Sequence, residues 1–366
     1  MRQPTIERQD AHTYHVMTRV VNVRPHDPEA GHIYHAAVEI LRGGLVAFPT
    51  ETVYGLGANA LDPRAVACIF AAKGRPANDP LIVHLSCVDD LPCVARFIPR
   101  VAWELTRVFW PGPLTLILPK QRNVPDNVTA GLDTIAVRIP SHPVARALLR
   151  ASGVPIAAPS ANRFGRSSPT TAQHVLDDLD GQIDLILDGG PTTVGIESTV
   201  LDVTCAPPVI LRPGGISREV LEALLGPVAV RGESVPAERV PKSPGLLAKH
   251  YAPRAELVLC LSENPAAALE KMAHLACQRQ SIGQRVGLLL ADQDLAYFEE
   301  QGVAAQVFSL GSADNLVQIA RNLFAGLRAL DEQGVDVILA RDFGQEGLGL
   351  AIRDRLQRAA SQVVGC

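Results

Sequence analysis

Long apolar runs are missing from this chain. No stretch approaches the length needed to span a bilayer, and the opening residues, "MRQPTIERQDAHTYHV", lack the apolar centre of a secretory signal. Those residues are expected to lead into the first strand. Aromatic residues make up only 4% of the sequence, too few for a base-stacking platform. The seven cysteines are odd in number and include no CxxC pair, which excludes a disulfide framework and a zinc ribbon. His84, Cys87 and Cys93 lie close together but lack a second matched pair to complete a metal site. A reducing, cytoplasmic setting is expected.

Positive charge is not in excess either. Residues 1–235 carry 21 Lys and Arg against 23 Asp and Glu, and the remainder carries 13 against 15. Neither part has the basic body of a dedicated nucleic-acid binder. The familiar catalytic signatures are absent as well: no GxxxxGK[ST] loop, no GxGxxG after a strand, no GxSxG elbow and no HExxH.

What is present suits a globular enzyme of two domains: 366 residues, 47% hydrophobic and 20% charged. Apolar strand-like runs alternate with helical ones through the first half. "GLVAFP" reads as a buried strand, and "DPRAVACIFAAKG" as a helix with Asp62 as N-cap and Gly74 just past its end. "VAWELTRVFWPG" reads as a helix stopped by Pro111, and "HPVARALLRASG" as another helix. The runs "PLIVHLS", "PLTLILP", "TIAVRIP", "VPIAAPSAN", "IDLILDGG", "STVLDVT" and "PVILRPG" read as strands. Short connections favour mixed pairing, so an α/β domain with a twisted mixed sheet and an open cleft is expected.

Near residue 232 the composition turns to Pro, Gly and charge, as a linker would. Strand–helix alternation then restarts. It includes a long amphipathic helix over "NLVQIARNLFAGLRALDEQG", with Leu316, Ile319, Leu323, Leu327 and Leu330 on one face. The expected organisation is a lead-in over 1–30, a first α/β domain over 31–231 and a linker or lid over 232–254. A smaller Rossmann-like parallel α/β domain then follows over 255–366.

Most strand ends of the first domain run into clusters of glycine, proline, hydroxyl and arginine. They are "PTETVYGLG", "AAKGRPANDPLIVH", "AGLDTIAVR", "APSANRFGRSSPT", "GIESTV" and "LRPG". Ligands bind where such loops converge. The clusters supply the cations Lys73, Arg75, Arg138 and Arg212 and the hydroxyls of Thr50, Thr52, Thr134, Ser160, Ser168, Ser198 and Thr199. Guanidinium forks and hydroxyls suit phosphates and a carboxylate. In "PTETVYGLG", Gly55 and Gly57 are expected to serve backbone geometry, and Glu51 to stabilise the turn rather than act as a base or hold magnesium.

These blocks, with "WPGPLTLIL", "SPTTAQHV" and the later "SPGLLAKHYAP", closely resemble the threonylcarbamoyl-adenylate synthases of the YrdC/TsaC type, in their two-domain form. The resemblance implies a nucleotidyltransferase that joins L-threonine, bicarbonate or CO2 and ATP into threonylcarbamoyl-AMP, with release of pyrophosphate. The product would pass to a threonylcarbamoyl-transfer complex that modifies tRNA beside the anticodon, and a weak contact with tRNA itself stays open.

Carried over to this chain, threonine contacts fall at Thr52, His84, Arg138, Ser160 and Ser198. ATP contacts fall at Lys73, Arg75, Asp79, Thr134, Ala158, Ser168, Arg212 and Tyr251, with Lys73 and Arg75 catalytic. Magnesium would ride on the ATP phosphates, with no dedicated metal site. Two departures stand out. Asn78-Asp79-Pro80 replaces the usual DNP order, and a carboxylate near phosphates repels unless a metal intervenes. The linker keeps its tyrosine in "KHYAP" but has lost the usual Met-Lys-Tyr before it. The competing readings are carbamoyl chemistry of the hydrogenase-maturation type, whose accessory modules this chain lacks, and an RNA-binding, translation-associated module.

Overall fold

A computed structural model describes residues 17–232 and 251–365. Most of the expected linker, "SPGLLAKHYAP" up to His250 included, lies outside the described residues, as do the first 16 residues and Cys366.

Among the described residues, eleven strands form the first sheet. In chain order they are β1 (Arg19–Asn22), β2 (Val46–Pro49), β3 (Tyr54–Asn59), β4 (Ile82–His84), β5 (Leu114–Pro119) and β6 (Thr134–Arg138), then β7 (Ile156–Ala157), β8 (Leu185–Asp188), β9 (Thr199–Asp202), β10 (Val209–Arg212) and β11 (Ala229–Val230). Their spatial order is β1-β8-β2-β3-β7-β4-β6-β5-β9-β10-β11, with parallel and antiparallel pairs interspersed. The pairing is mixed, as the short connections predict. β1 falls within the expected lead-in, where it pairs with β8 and so joins the sheet.

Side-chain alternation sends successive residues to opposite faces. Val83, Leu116, Leu118, Ile135, Val137, Leu201 and Ile210 join the main core on one face. Ile82, Ile117, Ala136 and Val200 gather on the other. That second face is the one on which the cleft opens, because Ile82 lines it.

Helix Pro63–Lys73 follows its sequence signals closely. The Asp62 carboxylate accepts from the Arg64 amide at 2.9 Å, Pro63 occupies the first turn, and Gly74 ends the helix in the left-handed region at φ +62°. That ending fixes where Lys73 and Arg75 leave the helix.

The stretch "PTETVYGLG" was expected to be a turn, and it is a hairpin. β2 and β3 are antiparallel, Phe48 lies opposite Gly55 and Val46 opposite Gly57. The glycines therefore sit within a strand, at negative φ, and do not make a bend. A Cβ on Gly57 would stand 2.7 Å from the Phe48 ring and 2.8 Å from the Ile156 side chain. The demand there is for space, not for a special dihedral.

The second sheet is separate and wholly parallel. It comprises β12 (Glu256–Leu261), β13 (Val286–Leu290), β14 (Gln306–Ser309), β15 (Val337–Arg341) and β16 (Gln362–Gly365), in the order β14-β13-β15-β12-β16. The helix Leu316–Glu332 buries Ile319, Leu323, Leu327 and Leu330, as its periodicity predicts, while Leu316 is half-buried. Val53 and Ile196 of the first body belong to the same apolar cluster as Leu257, Leu259 and Phe324 of the second, so the two bodies share a packed interface. Among the described residues no helix is long and apolar enough to cross a membrane.

Candidate active site

One cavity collects residues from the hairpin turn, β4, β6, the loop after β7, the approach to β9, the end of β10 and Tyr251. It holds about 470 Å³ of space continuous with solvent. Of the expected site residues it brings together Thr52, Arg75, His84, Arg138, Ala158, Ser160, Ser198, Arg212 and Tyr251. Strand alternation explains several of them. His84 shares a face with Ile82, Arg138 with Ala136, and Ser198 with Val200. β4 and β6 are parallel neighbours, which sets His84 directly beside Arg138.

Arg212 is there for another reason. Simple alternation would place it with Ile210, on the core face. The register shifts between Ile210 and Arg212, Leu211 becomes the extra residue, and Arg212 comes to lie opposite Val200, on the cleft face.

Each guanidinium is held from behind. Arg138 donates Nε–H to His84 Nε2 at 3.0 Å and an Nη2 hydrogen to Thr52 Oγ1 at 3.1 Å, and its Nη1 stands 3.6 Å from the Glu51 carboxylate. Burial lowers the Arg138 pKa from its ordinary value and Glu51 pulls it back up. Burial, reinforced by Arg138, drives the His84 pKa well below the usual histidine range. His84 is therefore neutral, and since Nε2 accepts, its proton resides on Nδ1. The ring orients Arg138.

Arg75 donates to the carbonyls of Asp79 and Pro80 at 3.2 and 2.8 Å, and it pairs with the Asp79 carboxylate at 2.9 Å. Arg212 donates to the Ser198 carbonyl at 3.0 Å and to its hydroxyl at 3.3 Å, while Thr115 shares a further hydrogen bond with that hydroxyl at 2.8 Å.

Four expected residues do not line the cavity. Lys73 is buried and donates to the carbonyls of Ser160, at 2.6 Å, and Asn162, which ties the "APSAN" loop to the helix end. Burial and the nearby Arg75 push its pKa well below the usual lysine range. Asp79 is wholly buried behind Arg75. Burial raises its carboxyl above the ordinary value, opposed by Arg75. Ser168 is buried and donates to Glu197. Thr134 opens β6 on the cleft face, roughly 13 Å along the strand from Arg138 at ~3.3 Å per residue.

Glu51 was expected to stabilise its own turn; its carboxylate instead accepts from the Ser141 amide, 90 residues on, at 2.9 Å, while the Thr50 hydroxyl makes the bonds within the turn. Glu51 also faces Arg138, a partner 87 residues away that the local sequence does not reveal.

Sequence reasoning passed over Glu197, which lines the cavity inside the "GIESTV" block. Burial pushes its carboxyl up, but Arg355, Arg212 and the Ser168 hydroxyl outweigh that and hold it below the ordinary value. The only signal in the sequence was a charged residue in a block otherwise made of apolar residues, glycine and hydroxyls. Among the described residues, no group of three or more His, Cys, Asp or Glu side chains gathers as a metal site.

Among the described residues, three guanidiniums, one carboxylate and several hydroxyls line one cavity, a set suited to anions, carried by a mixed sheet with a parallel-sheet body beside it. The Sua5/YciO/YrdC family profile, described as telomere recombination, matches residues 39–214. The profile of the threonylcarbamoyl-AMP synthase C-terminal domain matches residues 216–361. The threonylcarbamoyl-AMP synthase of Pyrococcus abyssi is 48% identical over 349 residues, covering 94% of this chain and 98% of that protein. The Bacillus subtilis enzyme of the same name is 48% identical over 336 residues, 91% of this chain and 93% of the relative. The crystal structure of P. abyssi Sua5 complexed with L-threonine superposes with a TM-score of 0.88 at 46% identity, over 95% of this chain and all of that one. The chain belongs to the threonylcarbamoyl-AMP synthase family, which makes it an enzyme of the nucleotidyltransferase class.

Proposed function

We propose that this enzyme condenses L-threonine, bicarbonate or CO2 and ATP into threonylcarbamoyl-AMP and pyrophosphate, for modification of tRNA beside the anticodon. The observation that carries the reading is the trio Arg75, Arg138 and Arg212 around one cavity, each guanidinium fixed by buried partners. The P. abyssi Sua5 structure, which holds L-threonine, supports the threonine half.

Arg138 pairs with the threonine carboxylate, with Thr52, Ser160 and Ser198 beside it and His84 keeping the guanidinium oriented. The threonine amine attacks the carbon of CO2, a C–N bond forms, and a proton passes to solvent. One carbamate oxygen then attacks the α-phosphorus of ATP. A P–O bond forms there as the bond to pyrophosphate breaks. Both reactants are anions, so the fixed cations must offset their repulsion and hold them in line. Arg75 and Arg212 take the phosphates, and Ala158 contributes through its backbone. Tyr251 closes the same wall, and its hydroxyl stays protonated because burial pushes its pKa up to about 12.

Lys73, Asp79 and Ser168 serve ATP indirectly, by holding the "APSAN" loop, Arg75 and Glu197. Thr134 lies on the same sheet face, where an extended nucleotide would reach it. ATP enters as its magnesium complex, the metal carried on the phosphates. The division into a first domain over 31–231, a linker and a second domain from 255 belongs to this proposal, as does transfer of the product to a threonylcarbamoyl-transfer complex.

The test measures pyrophosphate release with threonine and bicarbonate omitted in turn. Release should require both. Arg138→Ala should raise the threonine KM far more than the ATP KM. Release that ignores threonine would overturn the reading.

A further inference from the structure

We propose that Arg355, contributed by the five-stranded body, is a positioning residue for the nucleotide half of the cleft and acts through Glu197. Arg355 lies on the helix Gly349–Ala359 and is only 1% exposed. Its Nε–H donates to the Glu197 carboxylate at 2.6 Å and an Nη2 hydrogen to the Pro213 carbonyl at 2.9 Å. An Nη1 hydrogen goes to Asp354 at 2.6 Å, and the guanidinium carbon stands 5.3 Å from the centre of the Tyr251 ring. One side chain from the second body thus touches three segments of the cleft wall: Glu197 with Ser198, Pro213 with Arg212, and Tyr251. The second Glu197 oxygen accepts from Ser168. Ser168 is buried and does not line the cavity, so this network meets the cavity at Glu197 itself, at Arg212, next to Pro213, and at Tyr251.

The two bodies also meet through contacts other than this pair. Val53 and Ile196 pack into the apolar cluster of the second body, and Arg328 binds the Asp178 carboxylate at 2.7 Å and the Ser167 carbonyl at 2.5 Å. At Gly195, φ +78°, a Cβ would meet the Arg321 backbone, so the "GIESTV" loop also lies close against the helix Leu316–Glu332. What Arg355 adds is a fixed charge on a cavity-lining carboxylate. Arg138, the proposed partner of the threonine carboxylate, is anchored elsewhere, by Glu51, His84 and Thr52, none of which Arg355 touches; of the proposed threonine contacts Ser198 alone, beside Glu197, adjoins the Arg355 network.

The inference rests on the reading of this cleft as an ATP site. Its test uses the full chain with Arg355→Met, which keeps bulk without charge, Arg355→Lys, and Glu197→Gln, which keeps shape without charge. Binding of a non-hydrolysable ATP analogue and of L-threonine is measured by calorimetry, alongside both KM values. Arg355→Met and Glu197→Gln should each weaken the nucleotide by ~10-fold or more, the scale of one charge-assisted hydrogen bond, and leave threonine within about twofold. The double variant should be no worse than the poorer single one, as expected of two residues acting through one contact. Arg355→Lys should recover part of the loss.

Equal weakening for both ligands, additive losses, or an unchanged nucleotide affinity would overturn the proposal. Should Arg355→Met fail to fold, Glu197→Gln carries the same comparison. A wild-type enzyme that binds the analogue but releases no pyrophosphate with threonine would count against the proposed reaction, while the binding comparison would still decide the role of Arg355.

Discussion

Arg75, proposed to meet the ATP phosphates, is a cation set in a buried stretch of the cavity wall. Its side chain is 2% exposed, and the Asp79 side chain behind it is fully enclosed. Removing one partner of such a pair strands the other. Arg75→Ala should therefore cost about 3–5 kcal/mol of stability as well as turnover. Adding Asp79→Asn should restore most of the stability and none of the activity. Urea unfolding and pyrophosphate release on the two variants check this; a single variant as stable as wild type would refute the coupling. The sequence picked out Arg75 as a cation of the strand-end cluster "AAKGRPANDPLIVH". It did not show that Asp79 serves Arg75, because that pairing is made by the fold of the loop.

Element by element, the strands and helices were largely legible, since apolar runs and caps act over a few residues. The helix Pro63–Lys73 carries its own start and stop signals, and the structure follows them. β3 was not legible, because a strand reading "YGLGAN" contradicts local strand preference. Packing overrides that preference: Phe48 and Ile156 occupy the volume a side chain at Gly57 would need. Gly57→Ala should accordingly destabilise the protein by roughly 1–3 kcal/mol, the usual cost of overpacking a core. Thermal unfolding measures it, and a neutral effect would show that the hairpin can yield. The bulge that turns Arg212 into the cleft was equally hidden, because register belongs to the strand pair and not to either strand alone.

For the whole molecule, acid should be the weak side of the fold. Burial lowers the pKa of His84, His142 and His174, the last to about 4, with Arg328 of the second body adding to the effect. Each of these groups takes up its proton more readily in the unfolded chain. Stability should hold above pH ~6.5, the ordinary histidine value, and fall as pH drops from there towards 4. His174 alone can account for up to about 3 kcal/mol of that loss. Denaturant unfolding between pH 4 and 8 tests the slope. His174→Asn keeps an acceptor for the Thr170 amide but cannot take up a proton, so its profile should be flatter. A variant profile parallel to wild type would rule the histidine out.

By itself the sequence determined the α/β class, the restart of strand–helix alternation beyond residue 232 and the strand-end clusters of cations and hydroxyls. These follow from alternation, caps and residue chemistry, all local properties. Tertiary structure alone decided which cations face the cavity, which carboxylates hold them, and that Arg355 from the second body reaches Glu197. Those contacts join residues 54, 87 and 158 positions apart. In PTETVYGLG, Thr52 faces the cleft, Glu51 braces Arg138 and Gly57 makes room for Phe48 and Ile156, three roles set by what packs against each residue.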